Sequence, residues 1–588
     1  MILQSLYQLY DRLENDASYG MPTVGYSVQK ISFRIVLYPD GSIFEIQPIP
    51  RTESGMVQMQ VPGQTKPSGP GIHDSIAYCF LWDNTQYMLG YKAEDPNPQR
   101  SHSCFEAFRD KHLAVEKDIT SDAFSAVCRF LEQWNPAYAE QYKNILDDVV
   151  SGFGVFQLIG LQAYVHQDTR VQHWWEQQNN NQNDQSLRGQ CLLTGEENVP
   201  ITRLQPKIRG IPGGNPDKSL VGFKPDAFKS YGKDQAYNAP VSKDAARRYG
   251  AALNALLEGP KNFKHRFSLG ETTVVFWTER PTITEDVFAQ YAVYGSSTEN
   301  QDENNQDPTL LNKLSAFLGA LRQGREEYDE LADDDPGKTR FFILGLSPNS
   351  ARVCVRFFNK TTIKDLLHNL RRHHADCGVE RQYDENAKKP DPRMPPFSLL
   401  LSQTARTKKE IPPLLEGPLM RAVITGIQYP PGLVAAVIRR IRADRRITYP
   451  RAFIIKGFLT RNLNQEVPMS LDKTRTDAAY RLGRLFAALE RTQADALGKV
   501  NASIRDRFYS AASATPRSVF PRLMRTYQHH LANLDEGKKV NREKLMQEIM
   551  EPLQDFPASF SLAQQGVFAI GYYHQNNDFF TKNKNENE

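Results

Sequence analysis

The first hundred residues combine two hydrophobic periods. Apolar side chains recur every three or four positions over residues 2–13, the spacing of one buried helix face. Runs rich in β-branched and aromatic residues follow at 31–38 and 43–49, and the turn sequence Pro39-Asp40-Gly41-Ser42 joins them. The pattern therefore predicts an opening helix and a β-hairpin, with a third strand at 77–82.

Stretches rich in polar residues, glycine or proline separate the next elements. Residues 62–73 contain too much glycine and proline for a helix or a central strand, so we expect a loop that hangs from the sheet. Residues 99–148 and 245–257 have helical patterns, whereas the Gln/Asn-rich stretch 177–185 is predicted to be a polar loop. Residues 295–308 lack an apolar period, and we interpret them as a linker.

Helical periodicity dominates after that linker. Residues 310–322 predict an apolar helix, 341–346 and 351–358 a strand pair, and 363–374 a further helix. From residue 414 onward we expect a helical bundle with short loops, and the polar residues 576–588 are predicted to fray. The helices of this bundle are predicted at 414–425, 432–442, 477–497, 500–512, 519–534, 542–553 and 562–575.

The order of these elements predicts an α+β fold. A mixed α/β portion with antiparallel hairpins forms the N-terminal part, and an all-α helical bundle forms the C-terminal part. The polar stretches suggest four regions, at 1–190, 191–300, 301–413 and 414–588.

Composition excludes several classes of protein. With 588 residues, 40% hydrophobic and 24% charged, the chain has ample material for packed cores and is not mainly disordered. It has no apolar run of roughly 20 residues and no signal-peptide pattern at its start, so we expect a soluble protein. Its six cysteines are scattered without a CxxC pair, which favours reduced cytoplasmic thiols. We predict neither a metal site nor a cofactor.

The net charge of +4 conceals a strong local imbalance. Residues 421–461 contain nine basic residues and one acid, and residues 481–525 contain nine basic residues and three acids. Arginine predominates, and its guanidinium binds phosphate bidentately and stacks on bases. The segments therefore indicate either a nucleic-acid surface or a solvated face that contacts acidic subunits, and charge alone leaves both interpretations open.

Sequence motifs for catalysis are incomplete. Gly337-Lys338-Thr339 resembles the end of a phosphate-binding loop, but Ala332 stands where that motif needs its first glycine. The dipeptide His73-Asp74 is found in metal-dependent phosphohydrolases, but no further His/Asp motif accompanies it nearby. A metal-dependent nuclease is therefore the enzyme alternative, and a pure scaffold subunit is the third class that we retain.

Six blocks of sequence resemble the large subunit of the type I-C (Dvulg-subtype) CRISPR Cascade surveillance complex. They run in order along almost the whole chain, and several are long. The blocks are CLLTGE at 191–196, AFKSYGKDQAYNAPVSKDAARRYGAALNALL at 227–257, FFILGLSPNSARVCVRFF at 341–358, AYRLGRLFAALERTQADA at 479–496, RFYSAASATPRSVFPRL at 507–523 and QGVFAIGYYHQ at 565–575.

The resemblance implies a non-enzymatic subunit of a crRNA-guided complex that inspects the protospacer-adjacent motif (PAM) of double-stranded DNA and supports the R-loop. The implied partners are crRNA, target DNA, the Cascade backbone and crRNA-end-capping subunits, a small subunit and a recruited nuclease-helicase, with no membrane. The family also implies an internal translation start. Met469 is a candidate, since residues 469–588 resemble the small subunit.

A PAM reader needs a projecting element with hydrogen-bond donors that fits a groove. The loop 62–73 meets this need through Gln64, Lys66 and Ser68, although an ordinary long hairpin connection is the alternative. Weaker companions are Asn84, Lys30 and Arg34. For Arg34 we favour an ion pair with an acid on the neighbouring strand.

Two further sets of residues are assigned to nucleic acid. Tyr231, Lys233 and Asn238 stack a base or clasp the guide's end in one interpretation and pin two elements together in the other, and we favour the packing role. The late arginines are assigned to phosphates of the displaced strand or the heteroduplex. That set contains Arg439, Arg440, Arg442, Arg445, Arg446, Arg481 and Arg484.

Overall fold

A computed structural model describes most of the chain in two compact units. The first comprises residue 1, residues 3–206 and residues 222–252, and the second comprises residue 2, residues 207–221 and residues 253–588. The four-region division predicted above stays a prediction. The described residues are 1–50, 57–63, 76–149, 152–184, 187–214, 218–223, 225–294, 337–349, 352–382, 391–498 and 501–585.

The first part of the chain is mixed α/β, as predicted. Its described helices are α1 (Ile2–Glu14), α2 (Thr85–Met88), α3 (Pro98–Ala114), α4 (Asp122–Gln133), α5 (Lys143–Val149), α6 (Thr169–Asp184) and α7 (Lys243–Glu258). Its described strands are β1 (Tyr26–Leu37), β2 (Ile43–Pro48), β3 (Val57–Pro62), β4 (Trp82–Asp83), β5 (Phe153–Leu158), β6 (Arg188–Gly189) and β7 (Val199–Pro200).

Strand β1 is the centre of the first sheet. It pairs antiparallel with β2 and β3 and parallel with β5, and β5 also pairs with β4. The predicted helix and hairpin are confirmed. The third strand is misplaced, because only the two residues of β4 are extended strand near 77–82, while β3 lies earlier in the chain.

The core of the first unit lies between this sheet and α3 and α4. Phe33, Ile35 and Leu37 of β1 are fully buried there with Phe108 of α3. His112 of α3 is also buried, and its Nε2 accepts a hydrogen bond from the Leu81 backbone N–H at 3.0 Å. Burial lowers the pKa of His112 to about 4, so the ring is a neutral part of the core.

The second part of the chain contains a four-stranded sheet followed by helices. Its described strands are β8 (Arg266–Leu269), β9 (Thr272–Thr278), β10 (Arg340–Asn349) and β11 (Arg352–Thr362). Its described helices are α8 (Asn262–His265), α9 (Ile283–Tyr294), α10 (Ile363–Cys377), α11 (Phe397–Ser402), α12 (Glu416–Thr425), α13 (Pro431–Asp444), α14 (Tyr449–Leu463), α15 (Ala478–Leu497), α16 (Ile504–Ala512), α17 (Pro516–Ala532), α18 (Glu536–Met550) and α19 (Leu562–Asn585).

The second sheet is antiparallel throughout, in the order β11, β10, β9, β8. The predicted strand pair at 341–358 is confirmed as β10 and β11, and it extends further in both directions. Strands β8 and β9 were not predicted. The linker at 295–308 and the helix at 310–322 lie outside the described residues.

Several helical segments differ from the sequence prediction, and α9 and α11 were not predicted. The prediction of a loop in the Gln/Asn-rich stretch is wrong, because α6 continues through it to Asp184. The tail from 576 is helical as far as Asn585. Helix α14 was missed, since almost every side chain from Tyr449 to Leu459 is buried and no amphipathic period marks it.

Helices α15 and α19 pack at very short range in the C-terminal bundle. A Cβ atom at Gly571 of α19 would lie 2.1 Å from the carbonyl oxygen of Tyr480, and one at Gly483 of α15 would lie 2.1 Å from that of Phe568. Each glycine therefore admits the backbone of the opposite helix. The surrounding side chains Leu482, Phe486, Phe568 and Ile570 are buried.

Substitution of Gly571 by alanine is expected to lower the free energy of unfolding by about 1–3 kcal/mol, because the new methyl group forces the two backbones apart. The matched control is Gly537→Ala in α18, where the nearest atom to a new Cβ lies 3.7 Å away. That change is expected to stabilise by up to about 1 kcal/mol through helix propensity. Urea denaturation followed by circular dichroism measures both. Equal midpoints for the two variants would contradict the close packing.

Candidate nucleic-acid interface

The loop predicted to read a duplex begins at the first sheet. Gln64, Lys66 and Ser68 lie outside the described residues, but the start of the loop is described. The Gly63 backbone N–H donates to the Gly25 carbonyl at 2.7 Å, and the Trp82 indole N–H donates to the Pro62 carbonyl at 2.8 Å. The chain therefore leaves the sheet from a position fixed beside the start of β1 and beside β4.

The three companions of this loop occupy different environments. Lys30 is exposed on β1. Arg34 donates to Gln47 Oε1 at 2.8 Å and to Gln157 Oε1 at 2.9 Å. The predicted ion pair with an acid is therefore wrong, because the partners are two side-chain amides. Asn84 caps α2 by accepting hydrogen bonds from the Gln86 and Tyr87 backbone N–H groups. Lys30 thus has its charge in solvent, while Arg34 and Asn84 have structural bonds.

Helix α13 turns its arginines away from the core. Its buried face contains Val434, Val437 and Ile441, and Arg439 and Arg442 lie on the exposed face. The C-cap residue that follows the helix is Arg445, which is partly exposed and adopts a left-handed conformation with φ +58°. The turn leaves Arg446 exposed.

Asp444, the acidic residue of this segment, forms ion pairs with two neighbouring arginines. Arg451 donates to both of its carboxylate oxygens at 2.7 Å, and Arg440 lies 2.9 Å away. Burial favours the neutral form of Asp444, but the hydrogen bonds and charge of Arg451 outweigh it and hold the pKa below its usual range. Asp444 is therefore ionised at neutral pH and compensates Arg440 and Arg451 rather than the exposed arginines.

Arginines from distant parts of the sequence meet on this side of the second unit. Arg442 of α13 donates to Ser510 Oγ of α16 at 3.1 Å, and the Arg522 guanidinium of α17 lies 5.3 Å from the ring centroid of Phe508 in α16. These contacts place α13, α16 and α17 side by side. Arg517 of α17 is also exposed, but it pairs with Asp555 at 3.0 Å. We call the other exposed arginines of these helices and of the turn after α13 the basic face, which consists of Arg439, Arg442, Arg446, Arg507, Arg522 and Arg525.

The assignment of Arg481 and Arg484 to nucleic-acid phosphates is wrong. Arg481 is 3% exposed and Arg484 is 0% exposed. Arg481 donates to backbone carbonyls that include Glu548 at 2.9 Å, and Arg484 donates to Gln575 Oε1 at 3.0 Å and Glu548 Oε1 at 2.6 Å. Helix α15 is buried on all sides here, so both guanidiniums bridge α15 to α18 or α19 instead of facing solvent.

Three more cations of the basic segments are internal. Arg451, Lys456 and Arg461 are each less than a tenth exposed. Arg461 of α14 pairs with Asp376 at 2.6 Å, and Lys456 donates to the Gly378 carbonyl. The local charge excess therefore divides into an internal part, which holds helices together, and the basic face.

The third predicted set lies in the first unit, on the loop from Pro225 to Asn238. Tyr231 is 98% exposed and Lys233 is exposed. The Asn238 side chain accepts a hydrogen bond from the Ser230 N–H at 2.8 Å and donates to the Lys233 carbonyl at 3.0 Å. Asn238 therefore has the packing role favoured from the sequence, whereas Tyr231 points into solvent.

The described residues offer no group of three His, Cys, Asp or Glu side chains placed to hold a metal ion. His73 and Asp74 lie outside that part of the chain. Among the described helices, none is long and apolar enough to cross a membrane. The chemistry available at the basic face is the binding of phosphate by exposed guanidinium groups.

Sequence reasoning counted Arg507, Arg522 and Arg525 as charge but did not assign them to the site. A signal was present, because Arg522 and Arg525 are three residues apart and share a helix face. Their proximity to α13 depends on tertiary packing, which the spacing cannot reveal.

The family model described as CRISPR-associated protein (Cas_Csd1) matches residues 6–580. No curated protein matches the chain.

Proposed function

Because this chain belongs to the Cas_Csd1 family of CRISPR-associated proteins, we propose that it is the non-catalytic large subunit of a crRNA-guided type I-C Cascade complex. In this role it recognises the PAM of a double-stranded target, helps to open the duplex and stabilises the R-loop. The six blocks quoted above support the subtype. The basic face is the single structural observation that carries the nucleic-acid part of the proposal.

The basic face binds the sugar-phosphate backbone of the displaced strand or of the heteroduplex. Its arginines lie on three adjacent helices and point into solvent, and internal pairs already neutralise the acid nearest to them on α13. A surface of this kind binds phosphates without reading bases. Sequence is read by base pairing to the crRNA and by contacts of the protein to the PAM.

The loop that leaves the first sheet after Pro62 reads the PAM. Gln64 and Lys66 supply donors for base-edge acceptors, and the neighbouring glycines permit close approach of the backbone. The exposed Lys30 of β1, which lies opposite Gln58 of β3, adds a phosphate contact on the same sheet. Two hydrogen bonds fix Pro62 and Gly63, where this segment leaves the sheet, and they support the assignment because a reader needs a firm point of attachment.

The partners in this proposal are the crRNA, the target duplex, the other Cascade subunits and a recruited nuclease-helicase. A second product that begins at Met469 supplies the small subunit. Met469 is 63% exposed and precedes α15, so translation from it yields the helices α15 to α19 together.

The combined change Gln64→Glu and Lys66→Glu is expected to reduce the affinity for PAM-containing duplex to that for duplex without the motif. Each lost base contact costs about 1–3 kcal/mol, and the new carboxylates repel the groove. Binding of the assembled complex to a pool of targets with a randomised flanking motif, read by sequencing, measures the selectivity.

The matched control is Lys117→Glu with Gln133→Glu, which makes the same change of charge at two exposed positions of the first unit. Size-exclusion chromatography verifies that both variants assemble. Unchanged motif selectivity in the loop variant would refute the reading role. Loss of selectivity in the control as well would show a general effect of charge.

A further inference from the structure

We propose that Tyr231 is a stacking platform for an unpaired base of a single-stranded nucleic acid, with Lys233 bound to the adjacent phosphate. The inference deepens the proposed function, on which it rests, because an R-loop complex contains unpaired nucleotides. Three features of the loop from Pro225 to Asn238 support it, namely the exposure of the ring, the backbone conformation and the surrounding residues.

The first observation is the exposure of the ring. At 98%, Tyr231 has nearly its whole surface in solvent, whereas the other exposed large tyrosines and phenylalanines among the described residues have values of 38–49%. An aromatic ring that stays in water contributes no free energy of burial to the folded state. The ring therefore contributes little to the stability of the unit that carries it.

The second observation is the backbone. Tyr231 and Gly232 have φ values of +53° and +66°, and the Lys233 N–H donates to the Ser230 carbonyl at 3.0 Å. Positive φ at both central residues is the pattern of a type I′ turn, which favours Asn-Gly over a bulky residue at the first position. The turn thus holds an aromatic ring at its tip against the conformational preference of that residue.

The base of the turn is fixed. Asn238 holds Ser230, Lys233 and Gln235 through three hydrogen bonds, and Arg203 pairs with Asp234 at 2.9 Å. The backbone that carries the ring is therefore pre-organised, so ordering on binding is limited to the side-chain torsions of Tyr231 when a flat partner stacks on it.

The third observation decides the class of partner. Lys229 and Lys233 lie two residues before and after Tyr231, and both are exposed. Lysine is depleted at the centres of protein interfaces, whereas an aromatic ring flanked by cations is the composition of single-strand binding surfaces. Lys229 pairs with Asp226 at 2.7 Å, but this exposed pair is weak and exchanges readily for a phosphate.

The test measures binding of the full chain to fluorescein-labelled oligo(dT) and oligo(rU) by fluorescence anisotropy. Tyr231→Ala is expected to weaken binding to one or both about 5- to 100-fold, and Tyr231→Phe is expected to retain it, because stacking needs the ring and not the hydroxyl. Lys233→Gln is expected to make the dependence on salt shallower. The relative loss with the two oligonucleotides identifies the strand as DNA or RNA.

Two further variants separate binding from folding. Tyr231→Asn gives the turn its preferred sequence, so we expect an unchanged or higher melting temperature together with the same loss of binding. The control Tyr138→Ala removes a tyrosine that is 49% exposed in the same unit and is expected to leave binding unchanged. Photo-cross-linking with 5-iodouracil oligonucleotides is expected to label Tyr231.

Unchanged affinity in Tyr231→Ala, or cross-links that avoid Tyr231, would overturn the inference. Loss of another subunit from the assembled complex with unchanged oligonucleotide binding would instead identify Tyr231 as a protein contact and would also overturn it. These outcomes are separate from failure of the proposed function, which appears as absence of motif-dependent duplex binding by the wild-type complex.

Discussion

Replacement of Arg461 by methionine is expected to lower the free energy of unfolding by about 3–5 kcal/mol, because it leaves the largely buried Asp376 with only the half-exposed Arg372, 3.9 Å away, as a counter-charge. The Arg461 side chain is 1% exposed and that of Asp376 is 15% exposed, and the two groups are 2.6 Å apart. The same guanidinium donates to the Ala422 carbonyl at 2.7 Å and lies 4.4 Å from the ring centroid of Tyr429. One side chain of α14 thus connects α10, α12 and the turn before α13.

The control for this change is Arg439→Met, which removes an exposed arginine of α13. Its effect on stability is expected to stay within about 0.5 kcal/mol. Differential scanning calorimetry of the full chain compares the two variants. Equal melting temperatures would show that the Arg461 pair contributes nothing beyond a surface charge.

The second large effect is expected on nucleic-acid binding. Reversal of Arg439, Arg442 and Arg446 to glutamate is expected to weaken binding of single-stranded DNA by about 10- to 100-fold, largely independently of its sequence. Three lost phosphate contacts also make the slope of log affinity against log salt shallower by about 2. The melting temperature is expected to change little, since these side chains are exposed.

The matched control reverses Arg340, Lys360 and Lys364, three exposed cations on β10, β11 and α10, and so makes the same change of net charge. Titrations at several salt concentrations compare the variants. A normal salt slope after reversal of the basic face would reject the strand path. An equal loss in the control would mean that net charge, and not the basic face, governs binding.

Local chemistry made part of the fold predictable. The hairpin of β1 and β2 follows from the turn Pro39-Asp40-Gly41-Ser42, and α13 follows from its one-sided apolar pattern. Helix α14 has no such pattern because it is buried on all sides and depends on partners that are distant in the sequence. Strand β3 alternates glutamine with apolar residues, which is a strand pattern that the sequence prediction did not use.

The candidate site was likewise predictable from the sequence only in part. Charge counting located the segment of α13, but it treated Arg439 and Arg484 as equivalent. The surrounding residues distinguish them, because an arginine on an amphipathic helix faces solvent, whereas one in a helix that is apolar on every face must find internal acceptors. Applied to α15, that criterion places Arg481 and Arg484 inside. No comparable signal indicated that α16 and α17 lie beside α13.

The close packing of α19 against α15 has a consequence for synthesis of the chain. Helix α19 contributes Val567, Phe568 and Ile570 to the core, and it is translated after the helices against which it packs. Until those residues leave the ribosome, the matching apolar faces of α14 and α15 remain in water. The nascent protein therefore presents a hydrophobic surface for chaperones until α19 has been synthesised, and premature termination before residue 566 yields a chain that cannot close its core.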